Sequence, residues 1–361
     1  MAGRIADAKS APQMDLWSVV SSGPVRAFVL EKLLFVPAWA PTETAFLSRT
    51  PTVPAGSRVT DESGGSGRAL QERWCKISVV TEPRVPTPPQ RSESREIAEL
   101  RRLKQEQPDL ASAADLQIEL LQLQRRVQSR VSLPSIRLDT ASLNALLATA
   151  PVLQFDQLPL EWGDLRFLLR ATASAMRSHE ALDEKDFRRV EALCRDTDKL
   201  PVAVRSWYES AKAGAPPVHP DAAGLEPVFV QAMRPFLARS ADAIMAKTDL
   251  TGWTRGSCPL CAGEPDFAVI TPSADRILIC GRCLARWRFH QLTCPFCLNS
   301  DRGRITSFAS RDGQYRLYAC DECERYLKAY DARRASRPVM PAVDGVATLP
   351  LDAAAMQKGY K

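Results

Sequence analysis

Four short stretches decide the fold of the C-terminal third of this chain: 258-CPLC-261, 280-CGRC-283, 294-CPFC-297 and 320-CDEC-323. Each places two cysteines three positions apart. Such a knuckle turns tightly, so both sulfurs face one ion while backbone N–H groups point at the thiolates. Two knuckles supply four sulfurs, a tetrahedral set at about 2.3 Å per bond for zinc. The gaps between the pairs are 18, 10 and 22 residues. The outer gaps suit β-hairpins that bring two knuckles together, and the middle gap reads as a linker. The spacing therefore predicts one site from Cys258, Cys261, Cys280 and Cys283, and a second from Cys294, Cys297, Cys320 and Cys323. Interleaved pairing is the alternative. Four thiolates suit zinc or iron, and sequence does not separate the two. A closed site of this kind leaves no position for a reactive water, so it holds a fold together or passes an electron.

Outward from these pairs, the chain has 361 residues, 45% apolar and 25% charged, ordinary values for a globular protein with room for two or three domains. Only Cys75 and Cys194 lie outside the cluster. Disulfide frameworks belong to short secreted chains, whereas this clustering fits metal-bound thiolates in a reducing compartment. No signal-like start and no window of about 20 apolar residues is present, which predicts a cytoplasmic protein without a membrane span. From 252 to 338 there are fourteen Lys/Arg against nine Asp/Glu. Eight thiolates with two divalent ions would bring that formal +5 close to +1, which disfavours nucleic acid as a partner.

Residues 1–90 contain 51-PTVPAGSRVTDESGGSGR-68 and 81-TEPRVPTPPQ-90 and read as a poorly ordered leader, with apolar patches at Phe28–Val36 and Trp74–Val80. Residues 91–251 show helical periodicity. Ile97, Leu100 and Leu103 mark a first helix that Pro108 ends; Leu116, Leu120, Leu123 and Val127 mark a second. Leu165, Leu168, Leu169 and Met176 mark a third. Phe187, Val190 and Cys194 follow, with Asp183 as a cap, then Val204, Trp207 and Tyr208. Phe229 to Met245 is the last, with Pro235 near its start or kinking it. After residue 252 short β-like runs such as Ile277–Ile279 and Tyr315–Tyr318 alternate with the knuckles. The predicted class is thus an all-α domain followed by two rubredoxin-like or zinc-ribbon modules, 252–290 and 291–337. A tail, 338–361, carries a short helix at Leu349–Met356.

His290 lies between the two sites, but eight sulfurs already complete both sets, so it is not expected to be a ligand. His179 and His219 read as structural or solvated, and Cys194 as a small core residue. Trp287, Phe289, Tyr326 and Tyr330 read as packing of the small modules rather than as base-stacking platforms. No nucleophile elbow, phosphate loop, metalloprotease helix or dinucleotide fingerprint occurs, so the expectation is a protein that is not an enzyme.

The series CPLCAGEP (258–265), RILICGRCLARW (276–287), TCPFCLNSD (293–301) and ACDECERYLKAYD (319–331) resembles the formate dehydrogenase accessory protein family. Trp287, four residues after Cys283, and the Tyr326–Leu327–Lys328 run after the last pair match it closely. Ala262 stands where the family often has glycine, and Arg286 where an acidic residue is common. The resemblance implies a cytoplasmic maturation factor, an assembly chaperone that contacts the catalytic subunit of formate dehydrogenase and does not itself oxidise formate. Self-association is compatible with the sequence. Two other readings compete. One is a nucleic-acid-binding ribbon protein using Arg282, Arg286, Arg288, Arg302, Arg304 and Arg316. The other is a rubredoxin-like redox protein.

Overall fold

The computed structural model describes residues 94–134, 150–212, 218–335 and 337–361. The expected leader, its two apolar patches and Cys75 lie outside the described residues. Six α-helices come first among them: α1 (Arg95–Glu106), α2 (Ala111–Gln128), α3 (Trp162–Ser178), α4 (Glu184–Arg195), α5 (Lys199–Glu209) and α6 (Glu226–Met245). Their starts follow local chemistry. Ser94 accepts a hydrogen bond from Ile97 N at 3.2 Å, and Asp183 accepts one from Asp186 N at 2.7 Å, each satisfying an orphan donor of the first turn. Pro108 opens a 3-10 turn that breaks α1 from α2. The apolar stripes read from the sequence face inward, from Leu100 and Leu116 through Met176 to Trp207 and Phe236.

Helix α6 is buried on nearly every side, as befits the centre of a bundle. Pro235 lies in its middle rather than near its start, because the helix begins at Glu226. A proline there lacks the N–H that would bond to Gln231 O, one turn earlier. The structure fills that vacancy from α2: Gln124 Nε2 donates to Gln231 O, and to Gln231 Oε1, both at 3.0 Å. Replacing Gln124 by leucine is expected to cost about 1–3 kcal/mol, since a buried carbonyl loses its donor. Restoring the helical N–H with Pro235→Ala should recover part of that cost in a double-mutant cycle read by urea melts. Additive costs would contradict the pairing.

Six strands follow: β1 (Pro265–Ile270), β2 (Arg276–Cys280), β3 (Arg286–Phe289), β4 (Ile305–Ala309), β5 (Tyr315–Cys320) and β6 (Arg325–Asp331). The chain runs knuckle, hairpin, knuckle, strand, and then repeats that order. Each repeat is an antiparallel three-stranded meander. The expected linker between the second and third knuckles is not a plain connection, because β3 lies within it and pairs with β2 from Ile279↔Arg286 to Arg276↔Phe289. The two meanders do not stand apart either. Strands β1 and β6 pair in parallel, Phe267↔Lys328 through Ile270↔Asp331, and give one mixed sheet in the order β3-β2-β1-β6-β5-β4.

One face of this sheet packs on α6, where Ala238 meets Phe267, Val269, Ile279 and Tyr330. The main core runs without a break from the helices into Cys258, Cys261, Cys280, Cys283 and Trp287. The tail forms two helices, α7 (Pro341–Ala347) and α8 (Leu349–Gln357). Leu351 and Ala355 of α8 cover Phe308, Leu317 and Tyr326. Two buried carboxylates tie this tail down. Asp344 accepts from Met340 N (2.6 Å), Tyr315 Oη (2.8 Å) and Arg337 Nη2 (2.6 Å). Asp352 accepts from Tyr326 Oη (2.8 Å) and Lys328 Nζ (2.6 Å).

Candidate metal centres

Three of the knuckles close on themselves in the same way. Ala262, Leu284 and Leu298 donate N–H to the carbonyls of Cys258, Cys280 and Cys294 at 3.1, 3.2 and 2.9 Å. In return the N–H groups of those three cysteines donate to Gly263, Ala285 and Asn299 carbonyls at 2.8, 3.0 and 2.8 Å. The residue after the second cysteine is left-handed in all four knuckles: Ala262 (φ 63°), Leu284 (64°), Leu298 (61°) and Glu324 (55°). None is glycine, so each carries a steric cost at that position. Leu298 is 60% exposed, so its side chain contributes little packing. Leu298→Gly is therefore expected to stabilise the protein by ~0.5–1 kcal/mol, the left-handed penalty less the extra freedom glycine gives the unfolded chain. A raised thermal midpoint checks this; an unchanged or lowered one contradicts it.

The eight sulfurs gather in two groups, sequential rather than interleaved, with all Sγ atoms of each group within 4.8 Å of one another. In the first, Cys258 Sγ lies 3.5 Å from Cys283 Sγ and Cys261 Sγ lies 3.5 Å from Cys280 Sγ. In the second, Cys294–Cys323 and Cys297–Cys320 are 3.6 and 3.7 Å apart. A disulfide needs about 2.05 Å. A tetrahedron with zinc–sulfur bonds of about 2.3 Å has edges of about 3.8 Å. The donor set and its spacing thus fit a thiophilic ion in each group. Leu260 N and Arg282 N point at Cys258 Sγ and Cys280 Sγ, both at 3.4 Å, and Asn299 Nδ2 points at Cys320 Sγ at 3.7 Å. These donors favour thiolates over thiols.

Burial pushes the Cys258 and Cys283 thiols well up, with their neighbouring sulfurs adding to the effect. Burial acts the same way on Cys280, but hydrogen bonds from the other three cysteines outweigh it and hold that thiol well below its usual range. Four thiolates this close together would need a cation among them to stay ionised at once.

The surroundings of the two groups differ. All four cysteines of the first are buried, whereas in the second Cys297 is exposed and Cys323 half-buried. The first is also held by the helical region and the segment before α3. Val152 N and Leu153 N donate to Pro259 O and Leu260 O at 3.1 and 2.9 Å. Arg234 of α6, fully buried and with its basicity pulled down to about 10 by that burial, donates to Gly281 O at 2.7 Å. Arg282 donates to Tyr208 O at 3.0 Å and lies over the Trp207 ring. Arg276 steadies the approach to the second group by donating to Thr293 O at 2.9 Å and Gln291 O at 3.3 Å. Neither Arg234 nor Arg276 was singled out by the sequence. Arg234 sits inside an apolar helix and Arg276 opens an apolar strand, and neither position gives a sign that its guanidinium is turned onto a backbone carbonyl.

The remaining candidates take places in the frame. Trp287, Phe289, Tyr326 and Tyr330 are buried, as packing requires. His290 belongs to neither sulfur group. His179 lies 3.3 Å from Glu119, and Cys194 is buried with its thiol pushed up to about 11 by that burial. Of the arginines that motivate nucleic-acid binding, Arg282 is turned onto α5, Arg316 pairs with Asp331, Arg304 with Glu322 and Arg288 with Asp275. Among the described residues no helix is long and apolar enough to cross a membrane.

Fold and site together define a class: a helical bundle leading into a mixed sheet that carries two four-cysteine groups. No family model matches the chain. It is 26% identical over 210 residues to the FdhE homolog of Actinobacillus pleuropneumoniae serotype 3, a match covering 55% of this chain and 63% of that one. It is 29% identical over 139 residues to the FdhE protein of Escherichia coli K12, covering 37% and 44%. The chain thus spans less than two thirds of the curated relatives it matches. The crystal structure of the FdhE protein from Pseudomonas aeruginosa is similar in fold, with a TM-score of 0.53 over 74% of this chain and 91% of that one at 19% identity. The chain is thus similar to FdhE proteins in sequence and in fold.

Proposed function

We propose that this protein is an accessory factor for the maturation of formate dehydrogenase, binding the catalytic subunit of that enzyme rather than oxidising formate itself. The observation that carries this reading is the likeness to FdhE proteins in both sequence and fold, in a chain that carries two four-cysteine groups. In it, Cys258, Cys261, Cys280 and Cys283 hold one zinc or iron ion, and Cys294, Cys297, Cys320 and Cys323 hold the other. The helical region 91–251 presents one surface, the ribbons 252–290 and 291–337 the metal-bearing one, and the tail 338–361 braces the sheet. The factor works in the cytoplasm.

The chemistry of the site supports an accessory role. A four-thiolate shell is full and offers a substrate no open position. Pull-down with tagged full-length protein tests the reading, together with formate dehydrogenase activity in a strain lacking the gene. Capture of the catalytic subunit and loss of activity are expected. Normal activity in the deletion strain, with no capture, would sink it.

A further inference from the structure

We propose that the two sulfur groups have different duties: the first is a permanent part of the core, and the second is an exchange site through which a thiophilic divalent cation enters and leaves by way of Cys297. The inference rests on the reading that both groups hold metal.

Three observations separate the groups. The first is burial. Cys258, Cys261 and Cys280 are fully buried and Cys283 is 1% exposed, whereas Cys297 stands in solvent and Cys323 is half-buried. The second is core membership. All four cysteines of the first group belong to the main hydrophobic core, and none of the second group belongs to any core cluster. The third is anchoring. Both knuckles of the first group are bonded to the helical region, through Val152, Leu153, Arg234 and Arg282. Cys297, by contrast, sits on the outer end of its knuckle beside exposed Leu298.

These differences set the paths by which an acceptor reaches each ion. At the first group every sulfur is covered, so ligand exchange requires opening of the core itself. At the second, an incoming sulfur or nitrogen donor approaches on the Cys297 side without unfolding anything. Cys297 Sγ gives up its bond to the ion as the new donor bond forms, and the released thiolate takes a proton from water. The other three thiolates give way in turn, and the oxidation state of the ion does not change. Cys294 and Cys320, 5% and 3% exposed, hold the ion from beneath until the last step.

The test uses the full chain with Cys75→Ala, loaded with zinc and freed of excess. Release is followed by absorbance with the chromophoric chelator 4-(2-pyridylazo)resorcinol. Parallel samples are pulsed with iodoacetamide and mapped by mass spectrometry. Two phases of one equivalent each are expected, the fast one at least about a hundredfold faster than the slow one, since only the slow one awaits core opening. The alkyl label should appear on Cys297 first and then on Cys323, while buried Cys194 stays unlabelled. Cys297→Ser should retain the slow equivalent at its original rate and lose or further accelerate the fast one. Release of both equivalents in a single phase, or label arriving first between Cys258 and Cys283, would overturn the proposal. A folded chain that takes up no zinc overturns the underlying metal reading instead, so the two failures are distinguishable.

Discussion

Cys280→Ser is expected to abolish the folded state of the whole described unit, helices included. The apparent stabilisation from a structural four-ligand zinc is about 10–16 kcal/mol in small domains, and a globular domain stands only about 5–15 kcal/mol above its unfolded state. Loss of one thiolate weakens that contribution and leaves three sulfurs crowded in a dry site. Damage there does not stay local. The first sulfur group shares one core with Trp207, Phe229 and Phe236 of α5 and α6. Chelation of metal at elevated temperature should have the same result. Far-UV circular dichroism of the variant should show lost helix and no cooperative melt. A native helical signal with an unchanged midpoint would contradict the shared-core account. Cys297→Ser, outside the core, should leave the helical melt nearly intact.

Asp344→Ala is expected to cost about 3–5 kcal/mol, because it leaves a buried arginine without its counter-charge. Asp344 is wholly buried and takes hydrogen bonds from three sources: Arg337, Tyr315 Oη and Met340 N. Its burial raises the carboxyl's proton affinity, and the facing guanidinium of Arg337 opposes that rise. Arg337 in turn is only 10% exposed at its side chain. Tyr315 ties Asp344 of α7 to β5, and Arg337 reaches the same carboxylate from the connection after β6, so loss of Asp344 frees the tail from the sheet. Urea melts of Asp344→Ala, Arg337→Met and the double variant measure this. The double variant should be less damaged than the two single costs added together, since neither charge is then left alone. A single-variant loss below about 1 kcal/mol would show that the clasp is not needed.

What the sequence reveals here divides along the range of the interactions. The knuckles are legible because a cysteine pair and its tight turn are local, and the 18- and 22-residue gaps fit a hairpin each. The helices are legible because their stripes repeat every three or four residues and Asp183 caps within its own first turn. The parallel joint between β1 and β6 is not legible. It brings Phe267 beside Lys328 across sixty residues, and neither strand's own pattern names its partner. Strand β3 was hidden in an expected linker, because RWRF reads as a charged connection until β2 is placed beside it.

The tail shows a second limit. Helix α8 follows from its Leu- and Ala-rich run. Helix α7, PAVDGVA, opens with proline and holds glycine inside, so its own preference for helix is weak. Nothing local in the sequence marks Asp344 and Asp352 as buried. They are buried because Arg337, Tyr315, Lys328 and Tyr326 reach them, and those partners lie elsewhere in the chain. Pro235 likewise signals a break that Gln124 repairs from another helix. The unequal burial of the two sulfur groups has the same origin. Their motifs are alike, and only packing on the helices distinguishes them.

The most direct test of the central claim is elemental analysis of the full chain, purified without added metal and under reducing conditions, with its absorption spectrum and a titration of free thiols. The account predicts two zinc or iron ions per chain, one for each sulfur group, with all eight clustered cysteines reduced. The elemental count separates zinc from iron, and visible thiolate-to-metal absorption after mild oxidation would mark ferric iron. A folded protein with no bound metal, or with Cys258 to Cys323 joined as disulfides, would contradict it.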